Sequence, residues 1–186
     1  MPPTVREMFG AAGPAFIGAA LFVVLIVLFS MQATHPPPVL LIAVVAAGAH
    51  LVLFPVVGAL AAPGWCQAAG FSWLAIDVIL NVATLNGVPM ETVMPLRLGG
   101  HILAGTWIAI ASRDLSGAAG AIGFLLGPLL IAHAFLAQWL PPWAIFPPFL
   151  LIPIWLLLVG RSLTVPVVFR SQGSSGDSAG AGRVTA

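Results

Sequence analysis

Six stretches of roughly 20 apolar residues, each ended by proline, glycine or asparagine punctuation, restrict this chain to very few folds. A helix rising 1.5 Å per residue needs about 20 residues to cross ~30 Å of hydrocarbon. The first stretch runs from about Gly10 to Met31 and is closed by His35-Pro36-Pro37-Pro38, because proline lacks an N–H and restricts the residue before it. The second spans about Val39 to Ala62, closed by Pro63-Gly64. The third covers about Cys66 to Leu85 and stops at the turn dipeptide Asn86-Gly87. The fourth starts at Pro95, a favoured first-turn residue, and reaches about Ser112. The fifth spans about Gly117 to Trp139 and is broken by Pro141-Pro142, and the sixth covers about Trp143 to Leu163.

The expected fold is therefore all-α: a polytopic membrane bundle of six transmembrane helices joined by short loops, occupying residues 1–170. Composition agrees, with 60% hydrophobic residues and only 6% charged, against about a quarter charged in a water-soluble domain. The stretch from Ala11 to Met31 exceeds the 7–15 residues of a typical signal core and no clear A-x-A site follows it, so it reads as a retained span. Residues 171–186 are mainly serine, glycine and alanine, too poor in apolar surface to offset chain entropy, and are expected to form a disordered cytoplasmic tail.

Orientation follows from arginine, because cytoplasmic flanks carry the excess of Lys and Arg. All six basic side chains are arginines; Arg6, Arg113, Arg161, Arg170 and Arg183 fall on one side of a six-span chain, and Arg97 lies inside a helix. Both termini are thus expected in the cytoplasm of a cell-membrane protein, with Trp139 and Trp143 flanking an outer loop at headgroup level. A net charge of +1 with no basic cluster offers no footprint for nucleic acid. The single cysteine, Cys66, excludes an intrachain disulfide or a thiolate zinc site and reads as a small apolar packing residue. P-loop, HExxH, CxxC and dinucleotide fingerprints are absent, and no metal site is read. Gly123 and Gly127 form a small-xxx-small pair expected to join helices within the chain.

Function is confined to polar residues in an apolar solvent. Ionisable groups at the membrane centre cost at least ~2.5 kcal/mol on insertion scales and normally face protein or water. Asp77 and Asn81 lie four apart on the third span, and Arg97 and His101 four apart on the fourth, so each pair shares a helix face. If these two spans are antiparallel neighbours, counting inward from their connection sets Asn81 opposite Arg97 and Asp77 opposite His101, with Arg97 expected to donate to Asp77 or Asn81 and His50 of the second span at a similar depth. His133 joins from the fifth span; alone, it reads as a packing histidine. Glu91, in the outer loop from Asn86 to Met94, and Arg113 and Asp114, at the cytoplasmic end of the fourth span, read as solvated residues.

This register assigns proton handling, the candidate catalytic role, to Asp77 and His101, and substrate binding to Arg97, Asn81 and His50. The implied protein binds or moves a small solute or protons, or performs acid–base chemistry on a lipid-soluble substrate. Two alternatives stand beside it. The chain can be a non-catalytic partner subunit of a larger membrane complex, surrounded otherwise by membrane lipids, or a b-type haem protein with His50 and His101 as axial ligands.

Overall fold

The computed structural model describes residues 5–32, 34–141, 144 and 146–164. Among them the fold is entirely helical: α1 (Val5–Met31), α2 (Val39–Val52), α3 (Phe54–Ala59), α4 (Gly64–Leu85), α5 (Met90–Ala111), α6 (Gly117–Leu136) and α7 (Phe146–Thr164), with a 3-10 turn at Ser112–Asp114 after α5. Six segments are long and apolar enough to cross a membrane, α2 and α3 together making the second. The expected six-helix bundle is the observed fold. The tail at 171–186, and Trp143, lie outside the described residues.

Span boundaries differ from the sequence reading where proline acts. The second span is broken at Leu53, because Pro55 has no N–H to offer the carbonyl four residues before it. The fourth begins at Met90, one turn before Pro95, since a proline near a helix start removes an N–H bond that lies in the weakly constrained first turns. Glu91 consequently sits in the first turn of α5, where a carboxylate complements the helix dipole. The fifth ends at Leu136 and the sixth starts at Phe146, leaving the proline-rich connection outside both. At the α4–α5 connection Gly87 adopts φ +81°, the left-handed conformation that glycine accepts without steric cost.

Each span packs on the next in sequence, and α7 closes back onto α1, so the six spans form a ring. Small residues bring neighbours close: a side chain on Gly105 would strike the Gly127 carbonyl, and one on Gly123 would strike Ser112 and Trp155. Gly123 and Gly127 thus pack within the chain. Towards the end of the bundle holding Ser112, Trp73, Trp107 and Trp155 form an aromatic ladder with centroids 6.1 and 5.5 Å apart, ended by a 3.1 Å hydrogen bond from Trp155 Nε1 to Ser112 Oγ. Fully buried Cys66 packs against the Trp107 backbone. Outward faces carry exposed Ile17, Val44, Leu51, Ile79, Phe124 and Leu157, the surface that suits lipid.

Candidate functional site

The centre of the ring is polar. Asp77 on α4 is 2% exposed and Asn81, one turn further along, 3%. From α5, Arg97 reaches both: its Nε lies 3.4 Å from Asp77 Oδ1, and its Nη2 donates a 3.0 Å hydrogen bond to Asn81 Oδ1. Asn81 Nδ2 in turn donates to the Asp77 backbone carbonyl at 2.8 Å, which orients the amide oxygen toward the guanidinium. From α2, His50 Nε2 stands 3.4 Å from Asp77 Oδ2. His50 is clasped edge-on by Phe22 and Trp73, with ring centroids 5.7 and 5.5 Å away.

The His50 tautomer follows from its other nitrogen. Nδ1 is 2.7 Å from the Ala46 carbonyl oxygen, which can only accept, so Nδ1 carries a proton. Nε2 is therefore the His50 nitrogen that faces the carboxylate. Arg97 supplies the permanent positive charge that balances Asp77.

The sequence register set Asp77 against His101, and the structure replaces that contact. With α5 starting at Met90, Arg97 lies about seven residues, or ~10 Å, from the helix start, level with the span from Asn81 to Asp77. His101 is carried about one turn deeper than expected. Among the described residues no hydrogen bond or ion pair joins His101 to Asp77; its ring instead lies 5.6 Å from that of His133 on α6. His50, Asp77, Asn81 and Arg97 are brought together as one cluster, and His101 and His133 as a second pair beside it. Nδ1 of both paired histidines is buried without a hydrogen-bond partner, as are Asp77 Oδ2 and Arg97 Nε.

Two cavities serve these groups. A small one of about 50 Å³ touches His50, Asp77, Arg97 and His101 under a wall of Phe22 and Trp73, and has room for a few water molecules. A larger one of about 490 Å³ opens at the end of the bundle holding Gln32, Met90, Leu140 and Pro141; we call it the vestibule. Arg97, His101, Phe29 and Phe149 line both, and the two phenylalanines meet edge to face at 5.8 Å. The wall residues Phe29, Met94 and Phe149 carried no sequence signal beyond apolarity, whereas His133 was visible as a polar residue in an apolar span. Haem does not fit between His50 and His101: the space they share is about 50 Å³, and the His50 nitrogens face Ala46 and Asp77.

No protein-family model matches the chain, and neither the curated proteins nor the solved structures contain a match. The six apolar helices fit an integral membrane protein with a buried His50–Asp77–Arg97 cluster.

Proposed function

We propose that this chain is a multi-pass membrane protein that binds a small lipid-soluble molecule in its vestibule, with the molecule's polar end on Arg97 and His101. The observation carrying this reading is that the apolar vestibule ends on Arg97 of the buried charge cluster and on His101 beside it, both of which also line the cavity at the cluster. Its 490 Å³ volume lies in the range of small-molecule sites, which are largely apolar with a few convergent polar groups. A cluster needed only to hold helices together has no reason to face a cavity of that size, and interhelical hydrogen bonds in membranes average only ~0.6 kcal/mol. The same contact supports the acid–base role for Asp77, which has His50 near one carboxylate oxygen and Arg97 near the other, while Asn81 helps hold Arg97 in place. His101 belongs to the binding end of the vestibule in this reading. The partner-subunit alternative draws less support, because Asp77, Asn81 and Arg97 find one another within the chain.

The arginine count further supports a vestibule open to the outside of the cell membrane, with the termini cytoplasmic. Mass spectrometry of molecules extracted from the protein purified in mild detergent tests the binding reading. Wild type is expected to carry an amphipathic small molecule that is lost in Leu98→Trp, where an indole fills the vestibule. An identical extract from both proteins would sink it.

A further inference from the structure

Resting on the binding reading above, we infer that the vestibule takes an apolar carboxylic acid, held by His101 and His133 together with one proton. Three observations carry it. First, both imidazoles present a buried Nδ1 with no partner, although His50, in the same bundle, satisfies its own on the carbonyl one turn back. Neither His101 nor His133 makes that bond, so both nitrogens are left to another acceptor or donor.

Second, the polar groups match a carboxyl group. A neutral imidazole has one N–H and one bare nitrogen, so the pair at 5.6 Å, beside the Arg97 guanidinium, offers both donors and an acceptor. A protonated carboxyl has one O–H and a second oxygen, which meet an acceptor and a donor at once. An alcohol must meet both nitrogens from one oxygen, whereas a carboxyl presents its donor and its acceptor on two separate oxygens, one for each ring.

Third, the site has no uncompensated positive charge. The groups facing His101 are Asp77 from α4, Arg97 from its own helix, His50 from α2 and His133 from α6, while α1 and α7 present Phe29 and Phe149. Asp77 balances Arg97. Among the described residues the vestibule is lined by no acidic side chain. A bare carboxylate would bring one unbalanced negative charge into low dielectric, whereas the acid enters neutral. On binding, the acid O–H donates to a bare imidazole nitrogen. When the proton crosses, the O–H bond breaks, an N–H bond forms, and carboxylate and imidazolium remain as a neutral pair.

Decanoic acid and its methyl ester, measured by titration calorimetry on the full chain in detergent, test this. In water at neutral pH decanoic acid is ionised, so binding must take one proton from the buffer. Its affinity is expected to rise about tenfold from pH 8 to pH 7, with heats in buffers of different ionisation enthalpy reporting about one proton taken up. Ester affinity should not change with pH. His133→Gln should lower acid affinity at least tenfold at pH 7 while leaving the ester within about twofold, which also shows that the variant is folded. Equal, pH-independent binding of acid and ester would overturn the carboxyl assignment and leave the vestibule reading standing. Binding of neither probe, or binding unaffected by Leu98→Trp, would overturn both.

Discussion

Arg97 is the residue on which the polar cluster depends, because among the described residues it alone touches both Asp77 and Asn81 across the α4–α5 interface. Removing it strands a carboxylate that is 2% exposed, and breaking a buried pair from one side costs about 3–5 kcal/mol. Arg97→Ala is therefore expected to lose about 3 kcal/mol or more in denaturant unfolding in detergent, and Arg97→Ala with Asp77→Asn to recover most of that loss. Equal losses in the single and double variants would show that the carboxylate does not depend on the arginine. Arg97→Lys should rescue only in part, since a single ammonium lacks the forked donors that serve two partners. The polar residues Asp77, Asn81, Arg97, His50 and His101 stood out in the sequence because each is costly in hydrocarbon. The contacts of Arg97 with Asn81 and Asp77 were legible from register as well, but the expected Asp77–His101 contact was not formed, because a one-turn change in where α5 starts moves His101 past Asp77.

Among the elements, α5 and α6 show how closely backbone approach is specified. Gly105 and Gly127 face each other with no room for a Cβ on either. Gly127→Val should separate these helices, lower stability by at least about 2 kcal/mol as overpacking does, and draw His133 away from His101. Thermal unfolding and decanoic acid affinity should fall together; a full-strength site in a destabilised protein would separate packing from binding. Gly99, on the exposed side of α5 with open space around it, is the contrasting case. Gly99→Ala should raise stability by up to about 1 kcal/mol, from the chain entropy that glycine loses in a helix. Both glycines look alike in sequence, and only the neighbour across the gap distinguishes them. Element ends were legible where punctuation was unambiguous, as at Asn86-Gly87, and misplaced where a proline has two readings: Pro95 sits inside α5, and Pro55 splits the second span.

At the scale of the molecule, the ring of six spans predicts a sidedness that labelling can read. Glu91→Cys and Ser178→Cys, each in a Cys66→Ala background, should react with an impermeant maleimide from opposite faces of the membrane, Glu91→Cys from outside the cell. Labelling of both from one side would overturn the assigned topology. Cys66 itself, 0% exposed, should resist the same reagent in the folded wild-type protein.

By itself, the sequence determined the solvent, the number of spans and the residues too polar for that solvent. Each of these depends on local quantities: the length of an apolar run, the position of a proline, the cost of a charge in hydrocarbon. Closure of α7 onto α1, the vestibule and the partition of four polar residues from the His101–His133 pair were decided only by tertiary structure. Helix rotation and relative depth set those contacts, and both shift by a whole turn with the choice of a start residue that the apolar pattern leaves free.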